Sequence, residues 1–206
     1  MARCQVGLWR RFLRSADAKT VALTIVVVAV GSGLLALGLH WRPPTSHVHL
    51  YWWELAIAAI ATNELGFRIQ FRSEAHRYTL NELVLVLGCL LASPWVVVVG
   101  RLVGDVAFGA RRRRPLVKIA FNLANTLLES TVALCLVHVL LAGRPVMDWV
   151  SWPLTLTAVL VTVAVSTTVV YVVIRWNGGR PPIATLLVVG TGLAVVNVNL
   201  GLLASA

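Results

Sequence analysis

Residues 80–109 read LNELVLVLGCLLASPWVVVVGRLVGDVAFG, an apolar stretch that Ser93 and Pro94 interrupt near its middle. A transmembrane helix needs about 20 apolar residues, and a proline inside a helix removes a backbone hydrogen bond and clashes with the preceding turn. Two structures therefore compete for this stretch: one long tilted helix, or a tight hairpin of two short helices. The choice between them sets the membrane side of every later segment.

The basic residues favour the hairpin. Cytoplasmic loops of membrane proteins concentrate Lys and Arg. With a cytoplasmic N-terminus and a turn at the proline, all 18 Lys and Arg residues fall on the cytoplasmic side except Arg42, Arg101 and Arg144. A single span would instead place the arginines at 111–114 and the basic residues at 68–77 on opposite sides. We therefore predict a helical hairpin.

The composition is that of a membrane protein. Of the 206 residues, 58% are hydrophobic and 13% are charged, whereas soluble domains have about half and about a quarter. The apolar residues form blocks at 20–39, 50–67, 80–109, 116–142, 154–174 and 183–205. We predict an all-α, polytopic membrane bundle with about six full spans, or seven segments when the short helical hairpin at 80–109 is counted as two.

The chain divides into a basic N-terminus at 1–19 and one multi-pass domain at 20–206. We predict that residues 1–19 are cytoplasmic and that the protein lies in a bacterial plasma membrane. The net charge of +10 is expected to meet anionic lipid headgroups rather than nucleic acid, because the basic residues lie between apolar blocks. Gly100 and Gly104 form a GxxxG pair that allows close helix approach, within the chain or in a homodimer.

One connection between the apolar blocks is unusually polar. Residues 67–79 alternate more polar and less polar side chains, which is the rhythm of a strand. This segment is either a short extended stretch or a turn of interfacial helix.

Polar residues inside apolar blocks are candidates for function, because a charge inside a bilayer is costly. Arg101 and Asp105 are four residues apart, so their side chains can pair on one helix. Four polar residues of the fourth apolar block recur at spacings of four, three and four and so share one helix face: Lys118, Asn122, Asn125 and Glu129. That face is expected to look into the bundle.

We expect these residues to converge on one buried polar cluster between the hairpin and the helix that follows it. The predicted members are Glu82, Arg101, Asp105, Asn122, Asn125 and Glu129. Asn63, Glu64 and Asn197 are further candidates for its lining. The sequence leaves two roles open: the cluster either bonds neighbouring helices together or lines a cavity that binds a small-molecule ligand.

No catalytic motif is present. The chain has no HExxH, no P-loop and no GxSxG nucleophile elbow. Its three cysteines lack CxxC spacing, and the histidines near residues 40–49 lack further ligands. We therefore predict that this chain is not an enzyme and holds neither a metal nor a cofactor.

Two stretches resemble a known family. They are FRSEAHRYTLNELVLVLGCLLASPWVVVVGRLVGD at 71–105 and RRRPLVKIAFNLANTLLE at 112–129. Both resemble the N-terminal integral-membrane sensory module that precedes GGDEF or EAL domains in cyclic di-GMP signalling proteins of high-GC Gram-positive bacteria. The resemblance implies a sensory or anchoring input module. Neither catalytic motif occurs in this chain, so the cyclase or phosphodiesterase domain is expected to be absent from it.

A second similarity gives an alternative function. An acidic residue opens a short apolar helix, Ser-Pro follows, and a glycine-containing helix ends in Gly-Asp. The residues concerned are Glu82, Pro94, Gly100, Gly104 and Asp105. This pattern resembles the substrate-binding subunits of energy-coupling-factor vitamin transporters, which implies a small-molecule-binding membrane subunit of a transporter.

Cysteine labelling in intact cells tests the predicted topology. In a variant without the native cysteines, Ser73→Cys and Arg112→Cys should resist an impermeant maleimide added from outside and react once the membrane is opened, because both positions lie in basic cytoplasmic loops. Arg144→Cys, in a predicted outer loop, should react in intact cells and serves as the control. Labelling of position 73 or 112 from outside would contradict the hairpin topology.

Overall fold

A computed structural model of the chain describes residues 18–38, 50–65, 67–71, 74–78, 80–141, 144, 148–176 and 183–204. Side chains are described at these positions except in the two strands and at 183–187, 189, 193 and 204. The helices in these ranges are α1 (Ala18–Gly38), α2 (Trp52–Glu64), α3 (Asn81–Leu91), α4 (Pro94–Arg111), α5 (Leu116–Leu141), α6 (Ser151–Trp176) and α7 (Ile183–Ala204). The strands β1 (Phe67–Phe71) and β2 (Glu74–Tyr78) connect α2 to α3.

The helix break at the Ser-Pro pair is present. α3 ends at Leu91, Ala92 and Ser93 have extended backbones, and α4 begins with the proline, where the missing N–H has no intrahelical partner to lose. Across the break, a Cβ atom on Gly88 would lie 3.2 Å from the side chain of Val97. The start of α3 and the end of α4 line the same cavity. The two helices therefore fold back on each other as a hairpin.

α5 is the central helix of the bundle. It packs against α1, α4 and α6, and α7 completes the bundle by packing against α6 and α3. The main core has members from each of the helices α2 through α7 and includes Leu85, Leu90, Val97, Ala133 and Val159. A smaller apolar cluster fastens α1 to the outer face of α5.

The GxxxG pair of α4 packs against α2. A Cβ atom on Gly100 would lie 2.7 Å from the Leu55 Cβ atom and from the Trp52 carbonyl oxygen, and one on Gly104 would lie 2.7 Å from the Ala59 Cβ atom. These distances are shorter than van der Waals contact, so any side chain at either position would push the helices apart. The glycine face is thus occupied by α2 within the chain.

The described residues are mostly helical, as predicted, and the exceptions are the strands β1 and β2 within the polar segment at 67–79. Phe67 pairs with Tyr78 and Phe71 with Glu74 in a two-stranded antiparallel hairpin. Of the two structures considered for this segment, the extended one is present. Period-two alternation of polarity suits a strand pair better than a helix turn.

The prediction of about six full spans is not confirmed by helix length. α1, α5 and α6 are long and apolar enough to cross a membrane. α2 has 13 residues and α3 has 11, and at about 1.5 Å per residue neither reaches the roughly 30 Å of a hydrocarbon core. The apolar block at 50–67 is shortened because the polar β-hairpin begins at its end. Of the predicted cytoplasmic N-terminus at 1–19, residues 1–17 lie outside the described residues.

Gly104→Ala should destabilise the fold. The new methyl group would lie 2.7 Å from the Ala59 Cβ atom, and overpacking of this kind costs about 1–3 kcal/mol. We expect a lower midpoint of thermal unfolding for the detergent-solubilised protein. Gly33→Ala is the matched control, because nothing lies within 4 Å of its added Cβ atom. Equal midpoints for the two variants would contradict the close packing of α2 and α4.

Candidate ligand-binding cavity

A polar cavity of about 300 Å³ lies between α3, α4 and α5, at the end of the bundle that carries the arginines at 111–114. It is lined by Asn63, Asn81, Glu82, Asp105, Phe108, Gly109, Arg114, Ile119, Asn122, Asn125, Thr126, Glu129 and Ser166. Most of these side chains are polar, although the bundle around them is apolar. Ionisable side chains in apolar surroundings are candidates for function, so this cavity is the candidate site.

Asp105 joins three helices at one wall of the cavity. Its Oδ1 atom accepts a hydrogen bond from Asn63 Nδ2 of α2 at 3.1 Å, and its Oδ2 atom accepts one from the Thr126 hydroxyl of α5. Asn63 Nδ2 also donates to the Ala59 carbonyl oxygen at 2.9 Å. The carboxylate is therefore held by neutral donors from both neighbouring helices.

Arg101 lies behind the cavity wall, with 1% of its surface exposed. Its Nη2 donates to Glu129 Oε2 at 2.6 Å and its Nη1 donates to the Ser130 hydroxyl at 2.7 Å, both on α5. The predicted pairing of Arg101 with Asp105 on the same helix is therefore wrong. α5 runs beside α4 and brings Glu129 to the guanidinium, whereas Asp105 is engaged by Asn63 and Thr126.

Glu82 connects the cavity to the last helix. It lies in the first turn of α3, and its Oε2 atom accepts a hydrogen bond from Asn197 Nδ2 of α7 at 2.8 Å. Asn197 is fully buried. This contact is consistent with the inclusion of Asn197 as a candidate, although it supports the wall from behind rather than lining the cavity.

The polar face of α5 supplies the opposite wall. Asn125 Nδ2 donates to the Ser166 hydroxyl of α6 at 2.7 Å, and Asn122 and Glu129 line the cavity one turn to either side. Lys118, one turn before Asn122, is exposed. The predicted polar face therefore lines the cavity only from Asn122 onward, and the inclusion of Lys118 in an inward-looking face is wrong.

The structure brings most of the predicted residues together. Six of the nine line the cavity: Asn63, Glu82, Asp105, Asn122, Asn125 and Glu129. Arg101 and Asn197 lie behind its wall, bonded to Glu129 and Glu82. Glu64 does not line it and instead forms an ion pair with Arg112 at the end of α4.

Several lining residues are absent from the sequence-based prediction. Thr126 lies four residues after Asn122 and so continues the same helix face, a signal that the sequence does contain. Ser166 is an ordinary helix hydroxyl with no pattern around it. Arg114 belongs to the basic run, and its guanidinium lies 4.9 Å from the centre of the Phe108 ring. Only the packing of α4 against the start of α5 brings that pair to the cavity.

Two amide oxygens of the lining lack donors. Asn81 Oδ1 and Asn125 Oδ1 are buried and have no hydrogen-bond partner among the described residues. A buried acceptor without a donor costs about 1–3 kcal/mol. The wall of the cavity therefore offers more acceptors than its own donors satisfy.

The carboxylates of the cavity are not arranged as a metal site. In the part of the chain that the structure describes, no group of three or more His, Cys, Asp or Glu side chains could hold a metal ion. Glu82, Asp105 and Glu129 instead stand on separate walls and bond to Asn197, Asn63 and Arg101.

Comparisons with known proteins give no family for this chain. No protein-family model, no curated protein and no solved structure matches it. The resemblances to the cyclic di-GMP sensory modules and to the transporter subunits therefore stay predictions. The function is inferred below from the cavity and from the residues on which these resemblances rest.

Glu129→Gln should destabilise the protein more than Asp105→Asn. Glutamine leaves the buried guanidinium of Arg101 without its counter-ion, and breaking a buried pair in this way costs about 3–5 kcal/mol. Asparagine at 105 keeps an acceptor and leaves the direct Arg101–Glu129 ion pair in place, so its cost should be smaller. Thermal unfolding in detergent compares the two variants directly. A larger effect at 105 would indicate that Arg101 depends on Asp105 after all.

Proposed function

We propose that this chain is a multi-pass protein of a bacterial plasma membrane whose polar cavity binds a small molecule, and that binding is the sensory input to a cyclic di-GMP signalling domain. The observation that carries the proposal is the cavity of about 300 Å³ inside an apolar bundle. A structural cluster would bury its polar groups against each other, whereas this one leaves space between them for a small molecule.

Exposed apolar side chains support the membrane location. Ile25 and Leu37 of α1 are 63% and 72% exposed, and Val139 of α5 is 67% exposed. Soluble monomers rarely expose large continuous apolar faces. Lipid chains are the natural surroundings for these residues, and α1, α5 and α6 have the length and composition to cross a bilayer.

The two ends of the bundle differ in chemistry, which supports an orientation. Trp52, Trp53 and Trp95 are exposed near the turn of the hairpin, where the Leu50 N–H donates to the Leu91 carbonyl oxygen. Indole rings favour membrane interfaces, and arginine-rich ends favour the cytoplasm. The proposed orientation therefore places the cavity, the β-hairpin and the N-terminus on the cytoplasmic side.

We propose that the chain crosses the membrane as seven helical segments, with α3 and α4 forming a hairpin among the other five. α2 and α3 are short, but they pack against α4 and α7 inside the bundle and need not face lipid along the full thickness of the bilayer. This arrangement leaves the end of α7 on the outer side.

The link to cyclic di-GMP rests on where the cavity is built. Nine of its thirteen lining residues fall within 71–105 and 112–129, the stretches that resemble the sensory module; only Asn63, Phe108, Gly109 and Ser166 lie outside. The two resembling stretches thus supply most of the cavity lining, although they also carry exposed apolar side chains such as Trp95 and Leu116. This favours ligand sensing over simple anchoring.

Intracellular cyclic di-GMP should change when the cavity is altered. In the source bacterium, deletion of the gene and a chromosomal Glu82→Gln substitution should shift the cyclic di-GMP level in the same direction, as measured by mass spectrometry of cell extracts. Asp148→Asn, a carboxylate outside the cavity, should leave the level unchanged. The purified chain should neither make nor degrade the nucleotide, because it carries neither catalytic motif.

A level that stays the same in both mutants would reject the signalling role. The polar cavity would then favour the second candidate, the small-molecule-binding subunit of a transporter. That candidate predicts an ATPase that co-purifies with the chain from its own membranes and a loss of substrate uptake on deletion. If uptake is retained after deletion and no ATPase co-purifies with the chain, the transporter role is rejected as well.

A further inference from the structure

We infer that the cavity takes a small organic cation that carries hydrogen-bond donors, an ammonium or guanidinium compound. This inference rests on the proposed function, because it names the class of ligand for the same cavity. It is carried by the charges, the unpaired acceptors and the size of the cavity.

The carboxylates of the cavity are incompletely neutralised. Glu129 is paired with Arg101 from behind the wall. Among the described residues, Glu82 and Asp105 form no ion pair, and their hydrogen-bond donors are the neutral groups of Asn197, Asn63 and Thr126. Carboxylates that line one cavity repel each other, and a bound cation relieves that repulsion.

The unpaired amide oxygens point to the same chemistry. Asn81 Oδ1 and Asn125 Oδ1 are acceptors on the cavity lining without partners among the described residues. Behind the wall, the buried oxygen of Asn197 also lacks a partner. An anion would bring further acceptors to this surface and satisfy none of these atoms. An ammonium or guanidinium group would bring three to five donors.

The volume of the cavity limits the size of the ligand, and its apolar lining indicates the part of the ligand that is not charged. About 300 Å³ is at the lower limit of small-molecule pockets, so the molecule is small. Phe108 and Ile119 supply the carbon-lined part of the wall, which suits a short alkyl chain. Arg114 is the one cation among the described lining residues, and its guanidinium stacks on Phe108 near the edge of the cavity.

Thermal unfolding of the detergent-purified chain with defined probes tests the inference. The chlorides of 1,4-diaminobutane and methylguanidinium are the cationic probes, 1,4-butanediol is the neutral analogue, sodium glutarate is the anion, and sodium chloride matches the ionic strength. We expect the midpoint to rise with the concentration of at least one cation and to saturate, since a ligand that binds only the folded state stabilises it. The diol, glutarate and sodium chloride should give no saturating rise.

Substitutions locate the binding. Glu82→Gln and Asp105→Asn keep acceptors for Asn197 and Thr126 and should each weaken cation-induced stabilisation at least about tenfold in concentration, as expected from the loss of one buried charge contact. Asp148→Asn, whose carboxylate lies near Arg144 away from the cavity, should keep the full response. Arg114→Gln removes the cation of the lining and should strengthen cation binding. This opposite sign keeps the test decisive if a carboxylate variant fails to fold.

Three results would overturn the inference. These are the absence of stabilisation by either cation, stabilisation by glutarate or the diol instead, and cation stabilisation that survives both Glu82→Gln and Asp105→Asn. None of them bears on the measurement of cellular cyclic di-GMP, which judges the proposed function separately. A wrong ligand class and a wrong function are thus distinguishable.

Discussion

The burial of Arg101 is the constraint on which the arrangement of the bundle depends. A guanidinium cannot lose its proton in a protein and is costly to remove from water, so it must meet an anion at its own depth. Glu129 and Ser130 of α5 provide that contact at 2.6 and 2.7 Å. The pair fixes both the height and the rotation of α4 on α5. A buried pair of this kind adds little net stability, because the cost of desolvating both charges offsets their attraction, but removing one partner is strongly destabilising.

The opposite side of α4 follows from the same placement. With Arg101 turned toward α5, the preceding residue Gly100 and its helical neighbour Gly104 face α2, and their missing side chains let α2 come close. Asp105, one turn beyond Arg101, then reaches both α2 and α5 through Asn63 and Thr126. One polar pair and one pair of glycines thus set three helices around the cavity.

The sequence predicts the parts of this structure that depend on local chemistry. The Ser-Pro break, the helical periodicity of α5 and the high cost of charge in an apolar block are all properties of single segments, and they led to six of the thirteen residues that line the cavity. The partner of Arg101 was predicted wrongly. Spacing along α4 indicates which side chains can meet within that helix, but it does not show that α5 brings Glu129 to the guanidinium. The β-hairpin at 67–78 and the shortness of α2 were missed as definite features for a similar reason: an apolar block gives the length of hydrophobic sequence, whereas the end of a helix depends on the turn that follows. Ser166 and Arg114 could be found only from the packing.

Glu129 connects the cavity to the contact that positions α4. One carboxylate both lines the cavity and neutralises Arg101, so a cation bound there would compete with the guanidinium for the same negative charge. This competition would weaken the α4–α5 contact. Because Gly100 and Gly104 of α4 pack against α2, a shift of α4 would also move α2, which leads into the β-hairpin. Binding can shift a conformational equilibrium only by its differential affinity for the two states. A ligand that competes for Glu129 would bind more tightly to a state in which the Arg101–Glu129 pair is weakened. A ligand in a polar pocket without such a pair would have no comparable preference between two states.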